Sequence, residues 1–326
     1  MPMEKLLAIS DLVTVFGEAD GRVVAVDRVS FDVHRGEVFG LVGESGCGKS
    51  ATCRSITRLF GGAAARIESG SILFEGTDLV TLSDRRMTQI RGRGIAMVFQ
   101  DPMSSLNPTM RIGIQIDEAV QRHRGLPRRD VRAETIRLLE RVGVASAARR
   151  VDAWPHEFSG GMRQRVMIAM ALAGRPSLLI ADEPTTALDV TIQDQILKLL
   201  LGLRREFGMS ILLVTHDLGV VAQTCDRVAV MYAGRIAECA TTMELFTRPK
   251  HPYTEALLAA LPARQRRGQA LRAIGGMPPD LAMPPPGCRF HPRCAYAEEA
   301  CIAAEPPLVA VGNRHLTACR RHEILP

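Results

Sequence analysis

At 326 residues, with 46% hydrophobic and 23% charged side chains, the chain has the composition of an ordinary globular protein, long enough for two domains or for one with a sizeable appendage. No apolar run reaches the roughly 18 residues of a membrane span, and Met1–Leu7 is too short and polar for a signal peptide, so a cytoplasmic location is expected. The net charge of +6 is interleaved with acids, Arg122–Arg132 and Arg264–Arg272 are expected as solvated faces or loops, and only 4% of residues are aromatic, so no nucleic-acid partner is expected.

In chain order, Leu6–Val13 and Val23–Val33 read as strands joined through Asp20-Gly21, a hairpin signal, and predict a small antiparallel layer. Phe16 lies in this layer, where its ring is a candidate to stack on an adenine. The apolar run Val38–Val42 then meets Gly43-Glu44-Ser45-Gly46-Cys47-Gly48-Lys49-Ser50, followed by the helical stretch Ala51–Phe60. The spacing Gly-x4-Gly-Lys-Ser on a strand-to-helix turn is a phosphate-binding loop. Its glycines free the backbone so that N–H groups point at phosphate oxygens, and the helix N-terminus adds partial positive charge. Lys49 is expected on the β- and γ-phosphates and the Ser50 hydroxyl on Mg²⁺.

Ile72–Phe74 reads as a strand before the Gly76 turn, and Ile95–Phe99 as a buried strand that ends at Gln100, on the edge where ligands bind in open α/β sheets. From Ile112 to Val142 apolar residues recur at helical spacing, broken once at Leu126-Pro127, which predicts a helical subdomain over about 103–165. Ser159-Gly160-Gly161 precedes the helical stretch Val166–Ala173, so Ser159 is expected as an N-cap and the glycines as a second anion-binding helix end. Leu178–Ala181 is an apolar strand delivering Asp182 and Glu183: the first suits Mg²⁺, the second a general base for water. Asp189 follows the next turn, Ile192–Leu203 is strongly periodic, and the strand Ile211–Val214 ends in Thr215-His216-Asp217, which places His216 within reach of a γ-phosphate.

Val228–Met231 and Ile236–Glu238 read as a hairpin, with short helices at Met243–Phe246 and Glu255–Leu261. After Pro262 the composition turns to Arg, Gln, Gly and Pro, which sets a boundary there. Cys47 and Cys53 read as small packing residues. Cys288, Cys294, Cys301 and Cys319 crowd the tail at spacings x5, x6 and x17. Four such thiols suit a [4Fe-4S] cluster or structural zinc, although the Cys-x2-Cys knuckle usual for zinc is missing, and unligated thiols are the third possibility.

Phosphate loop, Gln100, Ser159-Gly160-Gly161, Asp182-Glu183 and His216, in this order, resemble the ATP-binding subunits of ABC transporters over residues 5–250. The resemblance implies an α/β fold: a P-loop, RecA-like core with a parallel sheet, an antiparallel β layer, a helical subdomain and, here, a loop-rich cysteine-containing extension. It implies domains at 1–262 and 263–326. By the family's pattern Phe16 and Gly43–Ala51 contact ATP in cis, while Ser159, Gly160, Gly161 and Asp189 face the ATP of a second subunit. Ser50, Gln100 and Asp182 would hold Mg²⁺, and Glu183, Gln100 and His216 would be catalytic. Phe158 and Met162 replace the commoner leucine and glutamine, and Phe16 a tyrosine.

Phe99–Pro108, Phe158–Arg165, His251-Pro252-Tyr253-Thr254 and the Cys288–Cys301 spacing look more narrowly like the ATPases of dipeptide, oligopeptide and nickel importers. That likeness implies ATP-driven peptide import and a second related ATPase. It also implies two transmembrane permease subunits, an extracytoplasmic binding protein, a peripheral position on the cytoplasmic face of the plasma membrane, and a [4Fe-4S] cluster on the four late cysteines, with Zn²⁺ the alternative. Import of nickel or another small solute stays open. A soluble ABC ATPase of translation or DNA repair usually has two ATP-binding halves or a coiled-coil insertion, and neither is seen; Glu183 argues against a regulatory subunit of little turnover.

Overall fold

A computed structural model describes residues 4–18, 21–62, 64–101, 105–186, 188–261 and 273–325. The expected Asp20 turn residue, the start of the helical subdomain at 103, the boundary at 262–263 and Arg264–Arg272 lie outside them. The chain forms two compact units, residues 1–81 with 214–326, and residues 82–213.

In the first unit, β1 (Lys5–Phe16) pairs antiparallel with β2 (Val23–His34) and with β4 (Ala65–Phe74), and β5 (Thr77–Asp78) extends the layer in the order β2-β1-β4-β5. One face of β1 buries Leu7, Ile9, Leu12 and Val15, which is the alternation expected of a half-buried sheet, interrupted by bulges. β3 (Val38–Val42) is buried along its whole length and pairs parallel with β9 (Arg227–Tyr232). Phe31 and Phe39 stack at 5.1 Å, tying β2 to β3.

β9 turns into β10 (Arg235–Thr241) through Ala233-Gly234, whose φ values of 45° and 85° are those of a two-residue type I′ turn. The tail, expected to be loop-rich, also contributes strands: β11 (Val309–Gly312) and β12 (His315–Thr317) pair with each other, and β12 continues onto β10. There Glu238, fully buried, meets His315 Nε2 at 2.7 Å. Short Val- and Ala-containing segments among prolines do not carry enough alternation to be seen as strands.

In the second unit, β6 (Ile95–Val98) and β7 (Leu178–Asp182) are parallel and buried, so their sequences are nearly continuous apolar runs. The helices Ile112–Arg124 and Arg128–Arg141 flank the predicted break. Helix Val190–Phe207 buries Ile196, Leu197, Leu200 and Leu203 on one stripe and ends at Gly208 with φ 64°. β8 (Ser210–Thr215) carries the chain back to the first unit.

Arg122, Arg128 and Arg129 are solvated as expected, but Arg124 is not. Its side chain is 11% exposed and bonds to Glu134 and to the Ala173 carbonyl. Glu134 is buried between two helices and needs a counterion there. Burial opposes its charge, yet Arg137 and Arg124 hold the carboxyl below its ordinary value.

Candidate functional site

The phosphate loop joins β3 to the helix Lys49–Thr57. Gly43, Gly46 and Gly48 have φ of 153°, 77° and 107°, and a Cβ at Gly43 or Gly48 would lie 2.1 Å from the Met231 carbonyl or 2.3 Å from that of Ala25. Only glycine fits these two positions. Lys49 is 4% exposed, and its Nζ donates to the carbonyls of Gly43 and Glu44, both at 2.9 Å, so the ammonium is held inside the loop. Cys47 is buried against it, and burial pushes its thiol above the ordinary value. Ser50 and Ala51 begin the helix, half-buried behind the loop, and Ser45 is exposed.

Partners distant in sequence brace this loop. The Gly234 N–H of the β9–β10 turn donates to Cys47 O at 2.8 Å, and the Glu44 N–H donates to the Tyr253 hydroxyl at 3.0 Å. Tyr253 is fully buried, 4.5 Å from Tyr232 and 5.3 Å from Phe290 between ring centroids, and burial raises its pKa, keeping it a neutral hydroxyl. Each such buried ring contributes about 1.5–3 kcal/mol of transfer free energy. His251-Pro252-Tyr253-Thr254 is conspicuous in the sequence, but nothing in it says that Tyr253 touches the loop. Phe16 is half-buried at the end of β1, edge-on to Phe60 at 6.2 Å. His216 follows β8 and is exposed.

In the second unit, Asp182 ends β7 as a carboxylate 5% exposed. Glu183 follows with φ 47°, in the left-handed region, which turns its side chain out of the strand's alternation. Gln100 Nε2 donates to Glu183 Oε2 at 3.1 Å and the Thr186 hydroxyl donates to the same oxygen at 2.9 Å. Gln100 and Glu183, 83 residues apart, are thus brought together.

Ser159 caps the helix Gly160–Leu172, its Oγ accepting from Met162 N at 3.4 Å. Ser159 and Gly160 are exposed, while a Cβ at Gly161 would come within 2.7 Å of Ile192. Asp189 is the N-cap of helix Val190–Phe207, accepting from Ile192 N at 2.9 Å.

Cys288, Cys294, Cys301 and Cys319 all line one small pocket, with Pro252 and Phe290 among its other walls. Burial pushes the Cys288 and Cys294 thiols up and Cys319 to about 11. The backbone N–H groups of Phe290 and His291 at Cys288, of Tyr296 at Cys294 and of Arg321 at Cys319 oppose that rise. Among the described residues, no three His, Cys, Asp or Glu side chains are close enough to hold a single metal ion.

Residues 26–186 match the family model of the ABC transporter, and residues 237–301 that of the oligopeptide/dipeptide transporter C-terminal region. The chain is 49% identical to the dipeptide transport ATP-binding protein DppD of Bacillus subtilis, across 97% of this chain and 95% of that one. The chain belongs to the ATP-binding proteins of ABC peptide transporters. The oligopeptide transport ATP-binding protein OppD of the same organism is 50% identical over 95% of this ABC protein and 87% of its own length. The ATP-binding cassette MJ0796, solved as a dimer bound to ADP and Pi, superposes with a TM-score of 0.64 at 26% identity, covering 72% of this ABC protein and 98% of its own chain. The P-loop α/β fold is therefore the fold of an ABC cassette, with the peptide-transporter tail appended. Among its described residues no helix is long and apolar enough to cross a membrane.

Proposed function

We propose that this ABC protein hydrolyses ATP to drive import of di- or oligopeptides. It would do so paired with a second related ATPase beneath two permease subunits fed by an extracytoplasmic binding protein, and peripheral to the cytoplasmic face of the plasma membrane. On this reading residues 1–262 are the ATP-binding domain, with a helical subdomain over 103–165, and 263–326 the extension. Gly43–Ala51 bind the phosphates, Phe16 stacks on adenine, and Ser159, Gly160, Gly161 and Asp189 serve the partner's nucleotide. Ser50, Gln100 and Asp182 supply the hard oxygen donors that suit Mg²⁺, which when bound neutralises phosphate charge.

The observation that carries the reading is the Glu183 carboxylate, fixed by Gln100 and Thr186 at the end of β7. These donors orient the carboxylate, which would take a proton as water attacks the γ-phosphorus and the bond to the bridging oxygen breaks. His216 would contact the γ-phosphate. Glu183→Gln, placed also at the equivalent position of the partner ATPase, is expected to keep ATP binding and lower turnover of the assembled transporter by about 10²–10⁴-fold. Near-normal ATP hydrolysis would reject the base assignment.

For the tail we propose a [4Fe-4S] cluster on Cys288, Cys294, Cys301 and Cys319 rather than Zn²⁺. What supports this reading is that four thiols line one pocket and that the usual Cys-x2-Cys knuckle of zinc sites is missing from their spacing. A bound cluster would hold these half-buried groups as thiolates. About four irons and four sulfides per anaerobically purified chain, lost in Cys294→Ser, are expected; one zinc without sulfide would overturn the assignment.

A further inference from the structure

The loop holding Cys288 and Cys294 also holds Arg293, whose side chain is only 4% exposed. Its two terminal nitrogens grip the carboxylate of Glu44, the second residue of the phosphate loop: Nη1 to Oε2 at 2.7 Å and Nη2 to Oε1 at 3.0 Å. Nε donates to the Gly275 carbonyl at 2.9 Å, and Nη1 also reaches the Tyr232 hydroxyl at 3.2 Å. The guanidinium lies over the rings of Tyr232 and Phe290. An arginine with this many fixed partners has one position. The Glu44 carbonyl in turn accepts from Lys49, and its N–H is held by Tyr253. The tail meets the loop a second time, where Pro279 and Asp280 line one cavity with Ser45, Gly46 and Cys47.

A carboxylate on a phosphate-binding loop is an electrostatic liability, because it repels the anion the loop is built to receive. Glu44 escapes this only while Arg293 neutralises and holds it. We infer that Arg293 is a positioning residue for the phosphate loop, and that through Glu44 the integrity of the cysteine loop sets the affinity for a nucleoside triphosphate. This rests on the phosphate loop being the nucleotide site. Coupling of this kind is reciprocal: whatever loosens the cysteine loop weakens nucleotide binding, and bound nucleotide steadies the cysteine loop.

The test is a cycle of Arg293→Met, Glu44→Gln and the double variant in the full chain. ATP with Mg²⁺ is titrated by calorimetry, and iron per chain and melting temperature are recorded for each protein. Arg293→Met is expected to weaken ATP binding on the order of tenfold, with the loss in the assembled transporter appearing mainly in KM rather than kcat. Arg293→Lys recovers part of the affinity. On a Glu44→Gln background, Arg293→Met costs little further affinity, since the charge it must neutralise is gone. A double variant as weak as Arg293→Met on its native background would reduce the arginine to a general structural role, and wild-type affinity in Arg293→Met would end the proposal. If Arg293→Met fails to fold, Cys294→Ser decides instead: it weakens ATP binding in the wild-type background and not in the Glu44→Gln background, and equal effects in both overturn the coupling. Lys49→Ala is the control, because normal ATP binding there would strike at the nucleotide site itself and not at the role of Arg293.

Discussion

Two helix N-termini in this molecule are candidates to face phosphate, and they are built differently. The one at Lys49 has no side-chain cap: Gly48 sits in the left-handed region, three glycines have positive φ, and a buried lysine lies within the loop, which distant residues brace. The one at Gly160 has an ordinary extended cap, Ser159, with one 3.4 Å hydrogen bond, and Ser159 and Gly160 are exposed. The first-turn arginine there, Arg163, donates through Nε to the Pro155 carbonyl. An anion site needs donors and a countercharge. The phosphate loop has both within one chain, whereas the Ser-Gly-Gly end offers exposed backbone, which the proposed reading would have a partner's nucleotide complete.

Removing the countercharge is the strongest test of that contrast. Lys49→Ala is expected to weaken ATP binding by the single chain by roughly 1.5–3 kcal/mol, ten- to a hundredfold, measured by equilibrium dialysis. Ser159→Ala removes a cap worth about 1 kcal/mol of stability. It should move single-chain ATP affinity far less than Lys49→Ala while slowing the assembled transporter, and an equal loss of affinity in the isolated chain would erase the distinction. Smallest is Tyr253→Phe, which strips one acceptor from the Glu44 N–H: about 0.5–1.5 kcal/mol by denaturant unfolding, and none if water replaces the hydroxyl freely.

Much of this was legible because it is local. The strand–loop–helix of residues 38–57, the Ser159 cap, the Leu126-Pro127 break and the β9–β10 hairpin all follow from residues within a few positions of one another. What escaped is what links separate elements: Arg293 to Glu44 across 249 positions, Tyr253 to the Glu44 N–H across 209, and Arg124, in a run expected to be solvated, to Glu134 on the next helix. Such pairs leave no periodicity to detect, and a charged residue reads as exposed until its partner is known. The two tail strands escaped for another reason, since they are three and four residues long and gain their order from β10.

The backbone at Glu183 bears on the durability of the fold. A residue other than glycine held at φ 47° costs the fold about 1–2 kcal/mol. A glycine at this position would relieve the backbone and discard the carboxylate in one step. On the proposed base role, selection of variants for heat resistance alone would be drawn toward a sturdier, silent protein at residue 183, and only a simultaneous demand for turnover would keep the strained glutamate in place.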